Sequence, residues 1–163
     1  MATTLKNLSL SNLKAHDLFK SLHIALVVAD WNPEITHAMR DAAIEFLKQQ
    51  GVPDTQIHLH AVPGTFELPL GAQWMAAQQH TDAVIAIGCV IQGQTRHFDF
   101  ICSACADGIT QVGLKFNKPV VFGVLTTNTL AQAQDRSGGE HGNKGIEAAE
   151  TALKMCLLKN SIV

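Results

Sequence analysis

The chain contains no tyrosine and only two tryptophans. Acid–base chemistry near neutral pH must therefore come from His, Asp, Glu, Lys or Cys. Arginine is confined to Arg40, Arg96 and Arg136, and 12 Lys and Arg face 14 Asp and Glu, a formal net charge of −2. Without a basic excess there is nothing to neutralise a phosphate backbone, which excludes a nucleic-acid groove. No apolar run approaches the ~18 residues of a membrane span. The first residues, MATTLKNLSLSNLKAHDLF, lack a continuous apolar stretch and read as no secretory signal. The four cysteines, at 89, 102, 105 and 156, are too few for a disulfide scaffold and suit free thiols in a reducing cytoplasm. Charged residues make up only 16% of the chain and hydrophobic residues 47%, a balance that excludes disorder. A length of 163 residues predicts one domain over 1–163, with residues 1–22 as a peripheral N-terminal segment.

What is present is a regular alternation. HIALVVAD (23–30) is a nearly unbroken apolar run, the mark of a strand buried on both faces. Asn32-Pro33-Glu34 opens a helix with a capping residue, a proline in its first turn and an early acid. Ile35, Met39, Ala42, Ala43, Phe46 and Leu47 make its stripe, and Gly51 ends it. In QIHLHAV (56–62), Ile57, Leu59 and Ala61 alternate with polar residues, which predicts an edge strand with one buried and one wet face. Helical composition follows over 66–79, with Trp74 expected mid-helix on a core face, then a second doubly buried strand, DAVIAIGCVI (82–91). A polar loop (93–97), a helix (98–115), the strand PVVFGVLTT (119–127) and helices over 128–136 and 145–158 complete the pattern. A glycine-rich loop (137–145) separates the last two helices, and LSLSNL (8–13) has the look of a short strand. Such alternation predicts an α/β fold: a parallel sheet with helices on both faces, strand order 2-1-3-4 given right-handed crossovers. Ligands bind such sheets beyond the strand C-termini, where the order reverses. That point lies between strands 1 and 3, bordered by Asp30-Trp31-Asn32 and by Gly88 to His97.

The residues at these strand ends carry the chemistry. Trp31 could pack at the rim or stack on a flat heteroaromatic ring. Thr65 and Glu67 sit at a helix start after Pro63-Gly64, where backbone amides and a carboxylate could hold hydroxyl groups. Gln94 and Thr95 offer amide and hydroxyl groups for an anion, and His97 is the histidine of the eight placed to shuttle a proton. Asp99 could cap the next helix or orient His97. Arg136, at a helix end, could answer the helix dipole or grip a phosphate with its planar fork, and Lys144 has a similar ambiguity. Cys102 and Cys105 form a C-x-x-C within a helix, without the second pair a zinc site requires. His58 and His60 share a strand face, and two ligands make a poor metal site.

Several segments together resemble the lumazine synthase family: WNPEIT (31–36), VPGTFELPLGA (62–72), AIGCVIQGQTRHFDFI (86–101), PVVFGVLTT (119–127) and QAQDRSGGEHGNKGIEAAETALKM (132–155). The resemblance implies a flavodoxin-like three-layer sandwich. It also implies condensation of 5-amino-6-(D-ribitylamino)uracil with 3,4-dihydroxy-2-butanone 4-phosphate, giving 6,7-dimethyl-8-ribityllumazine, phosphate and water, the penultimate step of riboflavin biosynthesis. It assigns no metal and no cofactor. Carried over by position, Trp31 stacks on the pyrimidine, and Thr65, Phe66 and Glu67 hold the ribityl chain and ring edge. Cys89, Val90 and Ile91 meet the ring with strand-end backbone, Gln94, Thr95 and Arg136 bind the phosphate, and His97 donates the proton. Phe122 closes the pocket from the next subunit, with Lys144 near it. The chain departs from the family at Trp31, where many members carry Phe, and at Gln92 and Gln94, which leaves Arg136 more of the charge. The resemblance further implies a cytoplasmic homo-oligomer (a pentamer, which some members extend to decamers or hollow sixty-subunit shells) with riboflavin synthase as a candidate partner. A non-catalytic flavin carrier and a shell-forming storage protein of the same fold are the rival readings.

Overall fold

Six consecutive apolar residues, Ile24–Ala29, form strand β1, and every one of them is buried. In the computed structural model, which describes residues 13–162, helix α1 (Pro33–Gln49) follows, then β2 (Ile57–Val62), α2 (Leu68–Ala76), β3 (Ala83–Ile91), α3 (His97–Phe116) and β4 (Val120–Thr127). The chain ends with α4 (Leu130–Arg136), a short hairpin of β5 (Ser137–Gly139) and β6 (Gly142–Asn143), and α5 (Lys144–Ile162). The four long strands are parallel and ordered β2-β1-β3-β4, the order that the crossover rule predicts. Two cores flank the sheet. Alternate residues of β1 and β3 (Ile24, Leu26, Val28, Ile85, Ile87) pack with α1 and α5. The others (Ala25, Val27, Ala29, Val84, Ala86) pack with α2 and α3. This is the period-two division of a strand covered on both sides.

Register positions the site. β1 pairs with β3 only as far as Val28 opposite Ile87, yet β3 runs on to Ile91 alongside β4. The same register sets Ala29, the last residue of β1, level with Gly88, so Cys89–Ile91 project past the end of β1 as a shelf.

The structure corrects several expectations. β2 is the edge strand, but its apolar face is not covered: Leu59 and Ala61 are exposed, because α1 reaches over β1 and β3 and stops short of the edge. Trp74, expected on a core face, is 57% exposed on the outer side of α2. The Gly-rich segment is a bulged antiparallel hairpin rather than a loop. Phe19 and Leu22 lie in the first core, so the peripheral segment stops short of the 3-10 turn Asp17–Ser21. LSLSNL falls almost wholly outside the described residues. Among those residues no helix is long and apolar enough to cross a membrane.

The hairpin is pinned to α1. Asn143 Nδ2 donates to the carbonyls of Ala38 (3.2 Å) and Ser137 (2.8 Å), while its Oδ1 accepts from the Gly145 N–H at 2.8 Å. A Cβ on Gly145 would stand 1.9 Å from the Met39 carbonyl oxygen, so α5 can start here only on glycine. Gly145→Ala is therefore expected to cost about 3 kcal/mol or more, the upper range of overpacking, because the obstacle is backbone. Gly93→Ala, with nothing within 4 Å of its Cβ position, should stay within about 1 kcal/mol of the parent. Denaturant melts of the two variants check this.

Candidate active site

Where β1 ends and β3 continues, the backbone must turn and the shelf must find partners. Asn32 serves both needs. Its φ of 58° is left-handed, which swings the chain from β1 into α1. Its side chain does not cap the helix, as the sequence suggested. Instead Nδ2 donates to the Cys89 carbonyl at 3.1 Å, taking the place of the missing β1 partner. Backbone groups of alternate residues in a parallel strand point to opposite neighbours. Gln92 N–H donates to Thr127 on the β4 side, so Ile91, like Cys89, turns its backbone toward the open side.

A cavity of about 860 Å³ occupies this step. Eight residues nominated from sequence line it together: Trp31, Thr65, Phe66, Glu67, Cys89, Val90, Ile91 and His97. Trp31 (73% exposed), Phe66 (57%) and Phe100 (68%) present large ring areas to it. Aromatic surface left uncovered in one concave place marks a binding site for a flat or apolar group. Gly64 lies under Trp31 and Glu67: a Cβ there would be 3.4 Å from Trp31 Cδ1 and 3.1 Å from Glu67 Oε2. His97 is the first residue of α3, and its N–H donates to Thr95 Oγ1 at 3.4 Å. Asp99 neither caps α3 nor meets His97; it faces Arg96 Nε at 3.4 Å. Burial, with a smaller push from the Glu34 charge, raises the Cys89 thiol to about 11. Cys89 is thus a wall and no nucleophile at neutral pH. The thiol of Cys105 is pushed by burial to about 12 and that of Cys102 also upward, which leaves the C-x-x-C unreactive.

The remaining nominated residues lie elsewhere on the chain. Gln94 and Thr95 are exposed on the β3–α3 loop, outside the cavity lining. Arg136, half-buried at the end of α4, donates to the Gln132 carbonyl at 3.0 Å. Phe122 and Lys144 line a second groove, of about 690 Å³, between α3 and α5 over β4. Lys144 Nζ there pairs with Glu147. The nominated residues thus fall in two separate places on the chain. Sequence reasoning placed Asn32 at the border of the site but gave it the role of a helix cap, and it missed Gly64, Phe100 and Ile101 as lining residues. Asn32 was masked by its resemblance to a cap, whereas Phe100 could have been found, since it stands three residues after His97 and so on the same helix face.

The sequence profile of the 6,7-dimethyl-8-ribityllumazine synthase family matches residues 21–160. The chain belongs to that family. It is 57% identical to the 6,7-dimethyl-8-ribityllumazine synthase of Cytophaga hutchinsonii over 155 residues, 95% of this chain and 97% of that protein. It is 49% identical to the Porphyromonas gingivalis protein of the same name, over 98% of this chain and 99% of the relative. The lumazine synthase family match covers the four strands of the main sheet and the shelf, and ends in the last turn of α5, short of Ile162 in the second groove.

Asn32→Ala should lose the tie to Cys89 and also strain a left-handed residue, at about 1–2 kcal/mol for the backbone alone. Asn32→Gly should lose the tie but tolerate the turn. Chemical denaturation should rank Gly above Ala by about 1 kcal/mol. Equal losses would show that the left-handed turn costs nothing.

Proposed function

We propose that this chain condenses 5-amino-6-(D-ribitylamino)uracil with 3,4-dihydroxy-2-butanone 4-phosphate to 6,7-dimethyl-8-ribityllumazine, phosphate and water. The observation that carries the reading is the convergence of eight family-matched residues on one cavity at the sheet's reversal point, within a chain that matches the family along its length. The cavity suits a polar heteroaromatic with a hydroxylated tail. Trp31 offers a stacking face, the shelf backbone at Cys89 and Ile91 offers donors and acceptors in line, and Glu67 with Thr65 lies where hydroxyls of a ribityl chain would fall. In this mechanism the uracil amine attacks the ketone and expels its oxygen as water to form an imine, phosphate leaves, and the second nitrogen closes the ring with loss of a second water. His97, at the cavity mouth, moves protons in these steps. Holding two reactants together supplies much of the rate.

The phosphate requires cations, and no arginine or lysine lines the Trp31 cavity. Arg136 and Lys144 lie with Phe122 on late elements, and the groove beside them carries exposed Phe122, Leu114, Met155, Leu158 and Ile162. Apolar area of that extent favours burial against another copy. We therefore read the active unit as a cytoplasmic homo-oligomer, a pentamer at least, in which Phe122, Lys144 and Arg136 of one copy complete the Trp31–His97 cavity of the next. Closure into a shell, and riboflavin synthase as its companion, belong to the same reading, and light scattering decides the former.

The first test is complementation. His97→Ala and Arg136→Ala chains, each impaired alone, should exceed the sum of their separate activities when unfolded together and reassembled, since some mixed interfaces hold both groups. Full reassembly without rescue would overturn the shared site. The second is kinetic. Arg136→Ala removes a charge-assisted hydrogen bond worth roughly 1.5–3 kcal/mol, which should raise KM for the butanone phosphate by one to two powers of ten. KM for the uracil substrate should change little. The opposite pattern would reassign Arg136.

A further inference from the structure

At the other end of the sheet, three histidines meet. His23 precedes β1, His58 lies near the start of the edge strand β2, and His80 stands in the connection leading to β3. His23 Nδ1 and His58 Nε2 are 3.1 Å apart, in planes only 5° from parallel, with ring centres 5.4 Å apart. Each nitrogen lies about 1.2 Å from its ring centre, so the two rings are as far apart as that contact allows. They are therefore coplanar and edge to edge, joined by a straight N–H···N hydrogen bond. His80 stands nearly perpendicular to both, its centre 5.7 Å from that of His23 and 5.6 Å from that of His58.

This geometry counts protons. One of the two facing nitrogens must carry a hydrogen and the other must not. The pair can be neutral or singly charged, but two charged rings would set hydrogen against hydrogen. Around His58 the neighbouring rings add to that repulsion. His60 on β2 and His80 act on His58 in the same sense as His23, and no carboxylate is among the groups acting on it. Asp82, the acid in this region, is held by the backbone: its Oδ2 accepts from the His23 N–H at 2.7 Å, and its own N–H donates to the His23 carbonyl. Lys118, from the α3–β4 connection, senses the Asp82 charge as well.

We propose that His23, His58 and His80 form a proton-operated latch that fastens the edge strand β2 to the start of β1, closed while the ring pair shares one proton and released when both rings are charged. The consequence reaches the opposite end of the sheet, because β2 runs from His58 to Val62 and continues directly into Gly64–Glu67, the wall of the Trp31 cavity. The latch is independent of the reaction proposed above. The sign follows from proton affinity. Burial first, and then His23, His80 and His60, hold His58 below its ordinary range in the closed state. The open state binds the proton more readily, so closure is complete above about pH 6.5 and is lost as pH falls through the lowered value.

Hydrogen exchange on the intact assembly reads this directly, as protection of a β2 peptide relative to an α5 peptide of the same chain at about pH 7.5 and about pH 5.5. Release coupled to one proton should lower relative protection of β2 by up to tenfold per pH unit below about 6.5. His58→Gln should abolish that pH response, and His60→Gln should retain it. Should His58→Gln fail to fold, His80→Gln removes one of the rings that hold His58 below its ordinary range in the closed state and should make the fall shallower. A β2 response that is absent in the parent, or unchanged in both His58→Gln and His80→Gln, or lost equally in His60→Gln, would overturn the latch.

Discussion

The site depends on a mismatch of length. β3 continues through Cys89–Ile91 after β1 has finished at Ala29. A strand that outruns its neighbour leaves backbone groups without a ladder partner, and such groups must find side chains, water or ligand. Asn32 takes the first of them, the Cys89 carbonyl. That single bond explains why the residue forgoes capping α1, a contribution of ~0.5–2 kcal/mol in other helices. It also fixes the corner from which Trp31 stands out. The cavity, its exposed aromatics and its run of hydrogen-bonding backbone all follow from the step in the sheet.

Much of this was legible in the sequence because burial on both faces leaves a continuous apolar run. HIALVVAD and DAVIAIGCVI could only be interior strands, and their relation to the polar-faced QIHLHAV set the order 2-1-3-4. The reversal point, and hence the cavity, followed from that order. What was not legible concerns cover. Alternation reports that Ile57, Leu59 and Ala61 share a face, but not whether a helix reaches over it, and at the edge none does. Trp74 failed for the same reason, since its side chain lies on the outer face of a helix whose other residues are mostly small and apolar. The hairpin 137–143 was hidden because glycine permits both a loop and a tight bulged turn, and the choice is made by Asn143 reaching across to α1.

Charge and aromatic surface are set by different parts of the fold. The cavity walled by Trp31, Phe66, Phe100 and a thiol that stays protonated has no lysine or arginine in its lining. Arg136 and Lys144 are positioned instead by the hairpin, whose geometry is set by Asn143 and by the absence of a Cβ at Gly145. Their placement is thus tied to α1 and α5 packing, and that of the aromatic wall to strand register. The reaction proposed above needs a ring site and an anion site together, and the sharing of one site between copies proposed with it would unite them.

The two ends of the sheet also differ in what they ask of β2. At its C-terminal end the strand must deliver Gly64–Glu67 to the cavity wall. Yet an edge strand has a ladder on one side only, and here it also lacks a covering layer over Leu59. Its attachment therefore rests on the β1 hydrogen bonds and on whatever fixes its start. The His23–His58 bond supplies that fixture beside backbone ties between His23 and Asp82 that no protonation of a ring can alter. β1 and β3 are thus joined at this end without a ring–ring contact, and only β2 is held by one. The proposed latch therefore has one strand to act on, and it is the strand that leads to the Gly64–Glu67 wall of the cavity.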